Sequence, residues 1–263
     1  PDTYEGAPTP VTAYLSVSSK AAGFVGLLVV CYQAFSTATE IWGPALWLLA
    51  AVTMTVGSLS ALGQTNAIRM LAYSSVAQAG FMMVPFAMAS FGDSAGLEDA
   101  FAATVIYIII FTFMNLGAFG TIIAASMKTG SAEIDSFAGM SKRAPGLAVL
   151  SALFFFSLAG IPPLAGWYAK LVVFRSAIGT GETWGIVLAG IAAVMAVIGF
   201  FFYAKIIKAM WFDPSEDVEY DDEPLAGTMR LALGISIAMV ALLGVLPGLA
   251  DTLGRAAAVL AGG

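Results

Sequence analysis

The sequence has no histidine, one cysteine and few charges. Only 11% of its 263 residues are Asp, Glu, Lys or Arg, against roughly 25% in an ordinary globular domain. Each shortage excludes something. Without histidine, the commonest proton carrier near neutral pH and the commonest metal ligand are both missing. Proton chemistry must then run on lysine, carboxylate, tyrosine or water. The single Cys31 permits no disulfide within one chain and reads as a buried thiol in an apolar stretch. There is no P-loop, no dinucleotide fingerprint and no cysteine cluster for an iron–sulfur centre. No basic run of the kind nucleic acid requires occurs either. The expectation is a chain without its own redox cofactor, metal or nucleic-acid partner.

What fills the sequence instead is apolar. Hydrophobic residues make up 59% of it, and the mean hydropathy is +0.89. That composition predicts an all-α, polytopic transmembrane helix bundle in a lipid bilayer. The net charge of -6 comes largely from one run, "DPSEDVEYDDEP" (Asp213–Pro224), and so describes a loop. The chain opens on the polar "PDTYEGAPTP", with no initiator Met and no signal-peptide n-region. The expectation is a piece of a longer protein, cut on its N-terminal side, forming one transmembrane domain over 1–263.

A span needs about 20 apolar residues. That ruler predicts about seven spans: Val11–Val30, Pro44–Leu62, Leu71–Ser90, Ala100–Ser126, Leu147–Ile178, Trp184–Trp211 and Leu231–Leu249. The fifth is too long for one straight crossing at about 1.5 Å per residue. It contains "SLAGIPPLAGWYAKLVVF", with two prolines, two glycines and a lysine in an apolar setting. Proline removes a backbone donor and clashes with the preceding turn. A discontinuous helix, broken near Gly160–Pro163 and resuming near Leu164, accommodates both facts. Pro85 is read as a kink in the third span. Trp42, Trp47, Trp184 and Trp211 are read as interface residues.

Basic residues set the orientation. One set of connections carries Arg69, Lys128, Lys142, Arg143, Lys205, Lys208 and Arg230, and the other only Arg175 and Arg255. This asymmetry places the first set and the N-terminal loop in the cytoplasm. The C-terminal "AGG" is then on the non-cytoplasmic side.

Two lysines lie within spans. Lys20 sits in "TAYLSVSSKAAGFVGLLVV", too deep to snorkel easily. Lys170 follows the predicted break. Intramembrane ionisable residues point to function by default, and burial penalises the charged form of an amine, which favours proton exchange. The bland alternatives are a lysine that only fixes helix packing, and a proline kink with Lys170 snorkelling beside Arg175. Non-helical backbone at membrane depth is tolerated where protein buries it or where it lines a wet cavity, and discontinuous helices recur at transporter ion sites. The break is therefore expected to admit water to Lys170. Thr12, Ser16, Ser18 and Ser19 are candidates to hold water near Lys20. Tyr73, Ser74, Ser75 and Gln78, with Tyr107, Thr112 and Asn115, are read as interhelical hydrogen-bonding residues ahead of proton relays.

Four stretches together carry a resemblance: "PDTYEGAPTPVTAYLSVSSKAAGF", "LGQTNAIRMLAYSSVAQAGFMMV", "YIIIFTFMNLGAFG" and "SLAGIPPLAGWYAKLVVF". The chain resembles the antiporter-like, proton-translocating membrane subunits of respiratory complex I. Within them it is most similar to the subunit N branch of bacterial NADH–quinone oxidoreductase. The resemblance covers nearly the whole chain and implies the C-terminal half of such a subunit, in a bacterial inner membrane. It implies proton translocation coupled to electron transfer from NADH to quinone. NADH, FMN, iron–sulfur clusters and quinone are then expected in other subunits. The implied partners are the other membrane subunits of complex I, antiporter-like ones included.

By the same resemblance, Lys20 and Lys170 belong to a proton-conducting axis along the membrane plane. The chain's own polar and break residues Tyr73, Ser74, Gln78, Tyr107, Asn115, Pro162 and Pro163 are expected to support it. That axis also uses a glutamate and a lysine from helices upstream of this chain. Two departures stand out against the family wording "NxKRLLAYSSIAH": Ile68 replaces a lysine, and Gln78 replaces the histidine. Proton transfer through Gln78 itself is not expected, so water or Tyr73 must serve there. The rival readings are a subunit of a multi-subunit cation/proton antiporter or membrane-bound hydrogenase, and a structural subunit that conducts nothing.

Overall fold

The computed structural model describes residues 6, 9–89, 94–214, 220–221 and 223–262, with the side chains of 9–10, 32–33, 94–97 and 260–262 set aside. Most of "PDTYEGAPTP" and half of the acidic run therefore lie outside the described residues, as does Ser90.

The described residues are helical almost throughout. We number the helices α1 (Thr9–Val29), α2 (Thr39–Leu62), α3 (Ala67–Met88), α4 (Ser94–Thr129), α5 (Met140–Arg143), α6 (Pro145–Ala159), α7 (Gly166–Gly179), α8 (Thr183–Phe212), α9 (Gly227–Val245) and α10 (Pro247–Gly262). Among the described residues, six helices are long and apolar enough to cross a membrane, namely α1 to α4, α8 and α9. The predicted fifth span is two shorter helices, α6 and α7, with the break where the sequence placed it. The bundle is a polytopic helical one.

Helix α3 sits at the centre. Almost all of its residues are buried, on every side, including Ser74, Ser75 and Gln78. A helix buried all round belongs in the middle of a bundle, and α3 packs on α2, α4, α7 and α8. Its start is fixed locally, because the Asn66 side chain accepts from the N–H groups of Ile68 (3.0 Å) and Arg69 (3.2 Å). Asparagine is a favoured residue at that position for this reason. The outer helices carry apolar residues outward: Leu48, Leu49 and Val52 on α2, and Val194, Val197 and Phe201 on α8. In hydrocarbon these faces cost nothing, since lipid tails are as apolar as leucine.

Two details differ from the sequence reading, the helix starts and a further helix. Helix α2 begins at Thr39, ahead of Pro44, and α3 begins at Ala67, ahead of Leu71. The apolar ruler starts too late where a polar residue lies in the first turn, Glu40 in α2 and Arg69 in α3. After α9 the chain forms a further helix, α10, which no apolar-length rule detects because it is short and carries Asp251, Thr252 and Arg255. The interface tryptophans Trp47 and Trp184 meet each other: their rings are 5.5 Å apart, edge to face, and Trp47 Nε1 donates to Trp184 O at 3.0 Å.

Candidate functional site

A helix end leaves four carbonyls without intrahelical partners, and inside a bilayer each must find one. At the end of α6 all four are satisfied. Gly160 adopts φ +92, which glycine reaches at no steric cost. The turn this makes lets Gly160 N–H donate to Ser157 O at 2.9 Å, while Ile161 N–H donates to Phe156 O at 3.0 Å, the pattern of a Schellman end. Leu158 O accepts from Gln78 Nε2 of α3 at 3.3 Å. Ala159 O accepts from Lys170 Nζ of α7 at 2.5 Å. The predicted break is thus closed by protein groups, with Gln78 and Lys170 holding consecutive carbonyls. The Pro162–Pro163 peptide is cis, and both prolines are exposed.

Lys170 is 8% exposed. Its ammonium lies 5.5 Å from the centre of the Phe81 ring, a favourable cation–π distance. It also faces the negative end of α6, where a cation is favoured by about 0.3–1 kcal/mol, and more when partly buried. A Cβ on Gly160 would stand 2.7 Å from Lys170 Cδ, so the glycine serves the lysine's approach as well as the turn. Arg175, the expected snorkelling companion, is exposed at the far end of α7, while Lys170 points into the protein.

Lys20 of α1 donates to Ser75 Oγ of α3. Its ammonium lies 5.6 Å from the Phe111 ring centre on α4. A cavity of about 170 Å³, lined by Gly23, Phe24, Leu27 and Met83, opens beside it. Neither Lys20 nor Lys170 pairs with a carboxylate among the described residues.

Between the two lysines lies a polar cluster in the core. Ser74 Oγ and Tyr203 OH are 2.5 Å apart, Gln78 Nε2 donates to Tyr203 OH at 3.3 Å, and Tyr107 OH donates to Gln78 Oε1 at 2.5 Å. Tyr203, on α8, was not among the sequence candidates. Its signal is a lone tyrosine in the apolar run "GFFFYAKIIK". It is 2% exposed, and its ring stacks on Phe155 at 5.8 Å. Of the expected residues, Ser74, Gln78 and Tyr107 meet here. Tyr73, half-buried on the next face of α3, makes no hydrogen bond with any described residue. Asn115 lies apart and donates to Ser16 Oγ at 2.8 Å, tying α4 to α1, with its own Oδ1 buried and unpartnered among the described residues. Ser16, Ser18 and Ser19 bond back to carbonyls of α1, and Thr112 does the same on α4.

The arrangement is three adjacent groups: Lys20 with Ser75, the Ser74–Tyr203–Gln78–Tyr107 cluster, and Lys170 with Ala159 O. They are linked only along the backbone, through consecutive Ser74 and Ser75 of α3 and consecutive Leu158 and Ala159 of α6; among the described residues no side-chain hydrogen bond joins the cluster to either lysine. Gln78 uses both amide hydrogens and its oxygen, and an amide has no titratable proton near neutral pH. It orients its neighbours. Among the described residues no group of three His, Cys, Asp or Glu side chains stands together to hold a metal. One cysteine and no histidine do not fit the ligand set of an iron–sulfur cluster.

Residues 1–196 match the family described as NADH:quinone oxidoreductase/Mrp antiporter, transmembrane. The chain is 39% identical over 248 residues to a protein named NADH-quinone oxidoreductase subunit N of Trichlorobacter lovleyi, covering 94% of this chain and 49% of that one. It is 42% identical over 243 residues to subunit N 2 of Sorangium cellulosum, covering 89% and 47%. A chain of respiratory complex I from Thermus thermophilus, solved with bound aureothin, superposes with a TM-score of 0.74 at 30% identity, covering 95% of this chain and 52% of that one. A chain of the Mrp complex from a Dietzia species superposes with a TM-score of 0.84 at 21% identity, covering 97% and 53%. The chain spans about half the length of the curated relatives it matches.

Proposed function

The chain belongs to the NADH:quinone oxidoreductase/Mrp antiporter transmembrane family, and we propose that it is the C-terminal half of a complex I subunit of the N type, forming one transmembrane domain that carries part of a proton path. The observation that carries this reading is the placing of the two intramembrane lysines. Both are turned into the protein, neither has a described carboxylate partner, and both flank one buried polar cluster.

In this reading Lys20 and Lys170 exchange protons with water. When Lys170 is charged, its ammonium donates to Ala159 O at the α6 terminus and lies over the Phe81 ring. When it gives up its proton to the non-cytoplasmic side, Ala159 O loses its charged donor. The charge of one lysine biases the other, because Coulomb coupling is strengthened where the dielectric is low. Tyr203 and Ser74 are the hydroxyl groups between them, and Gln78 keeps Tyr203 and Tyr107 oriented. Tyr203 takes the place that the sequence reading gave to Tyr73 or water.

The redox chemistry, with NADH, FMN, iron–sulfur clusters and quinone, belongs to partner subunits, and no step of it runs through this chain's residues. The partners are other membrane subunits of the complex, antiporter-like ones among them. The location is a bacterial inner membrane with the C-terminus on the non-cytoplasmic side, as the basic-residue asymmetry supports. The fold alone does not separate this reading from a cation/proton antiporter subunit, since an Mrp chain shares it. The subunit N relatives, at 39 to 42% identity, favour the complex I reading.

Lys20→Ala in the complete complex tests it. Proton translocation in membrane vesicles falls and coupled electron transfer slows. Lys20→Arg restores only part, because guanidinium stays charged. Full translocation by an assembled Lys20→Ala complex removes Lys20 from the path.

A further inference from the structure

The connection between α6 and α7 is not held by those helices alone. The N–H of Ala165, just before α7, donates to Val240 O of α9 at 3.1 Å. Two residues on, Trp167 Nε1–H donates to Gly244 O at 3.1 Å. That carbonyl lies in the last turn of α9, which stops at Val245 before Pro247 opens α10, and carbonyls there lack intrahelical partners. The contact is backbone to backbone. A Cβ on Gly244 would stand 2.7 Å from Ala165 N and 2.7 Å from Leu164 C, and it would overlap Pro163 O. Beyond this elbow α10 is tied down twice. Asp251 accepts from Tyr168 OH of α7 at 3.4 Å. Arg255 bonds Asp251 at 3.0 Å and Asp99 of α4 at 3.1 Å. Gly254 packs on Ile106 and Ala102 of α4.

We propose that the α9–α10 elbow, Val240 to Pro247, positions Lys170, with Gly244 and Trp167 as its positioning residues. The elbow fixes where the chain re-enters α7 and so where Lys170 Nζ meets Ala159 O. A buried donor left unpaired is costly, so the Ala165 bond holds the segment in one place, and the half-buried Trp167 adds a second bond. Neither residue makes a hydrogen bond or ring contact with the lysine among the described residues. Their effect passes through the backbone of Pro163–Gly166. This inference rests on the reading of Lys170 as a proton-exchanging group.

The test compares Gly244→Ala with Gly234→Ala in the complete complex. Both glycines lie on α9, and Gly234 has open space where a Cβ would go. Translocation in membrane vesicles, its pH profile and uncoupled electron transfer are measured together. Gly234→Ala behaves as the parent. Gly244→Ala keeps uncoupled electron transfer but loses about fivefold in translocation, the equivalent of one ordinary hydrogen bond, with a displaced pH profile. Trp167→Phe keeps a ring and removes the N–H, and it shows the same signature. It carries the test if Gly244→Ala does not assemble. A parental rate and pH profile in the assembled variant, with Lys170→Met defective, overturns the elbow's role and leaves the Lys170 reading standing. Normal translocation by Lys170→Met overturns the reading and the elbow's role with it.

Discussion

Gln78 and Lys170, from different helices, cap consecutive carbonyls at one helix end. Gln78 Nε2 lies 3.3 Å from Leu158 O, and Lys170 Nζ lies 2.5 Å from Ala159 O. The break in the fifth span is therefore a shared acceptor site. One of its donors is fixed and neutral, and the other can lose a proton. A change in the lysine is felt at a peptide whose neighbour is bonded into the polar cluster.

Gln78 is expected to act by holding bonds. Gln78→Leu leaves Leu158 O and Tyr107 OH unpaired in the core, at about 1–3 kcal/mol for each buried group. The assembled complex should lose thermal stability and translocation together. Gln78→His, which restores the family wording, keeps a donor and an acceptor and should stay close to the parent in both. Thermal inactivation and vesicle assays on the two variants check this. A Gln78→Leu complex as stable as the parent contradicts the capping role.

Tyr203→Phe removes one oxygen and keeps the ring that stacks on Phe155 at 5.8 Å. Ser74 and Gln78 each lose a partner. The expected stability loss is about 1 kcal/mol, with assembly intact and translocation reduced. If translocation is unchanged, Tyr203 is a packing residue, and water alone links the two lysines.

The fold was legible where apolar length decides it. Gly160, Pro162 and Pro163 marked the break because proline and a left-handed glycine leave a local signature. Helix α10 escaped because its 16 residues are fewer than a crossing needs and Asp251, Thr252 and Arg255 interrupt the apolar run. Lys20 and Lys170 were visible as charges in apolar runs. Their partners were less so. Tyr203 meets Ser74 from 129 positions away, and nothing near either residue in sequence encodes that pairing. Tyr73 was a reasonable candidate by residue type, but it lies one position from Ser74. One step along a helix turns a side chain about 100°, to another face.

The orientation rests on basic residues alone and has its own test. In a Cys31→Ser background, Ser215→Cys should react with an impermeant maleimide only from the cytoplasmic side. Ser215 lies outside the described residues, so labelling is the direct measure. Reaction in intact cells would invert the assignment, and with it the direction of proton release from Lys170.

The central claim is that Lys170 exchanges protons at the α6 break. Lys170→Met keeps length and apolar packing, removes the titratable group and leaves Ala159 O without its charged donor. The decisive measurement is protons translocated per electron pair in membrane vesicles, with assembly checked on native gels. The account predicts an assembled complex that still transfers electrons when uncoupled but translocates fewer protons. An assembled Lys170→Met complex with the parental ratio would contradict it and leave the break and its lysine as features of packing.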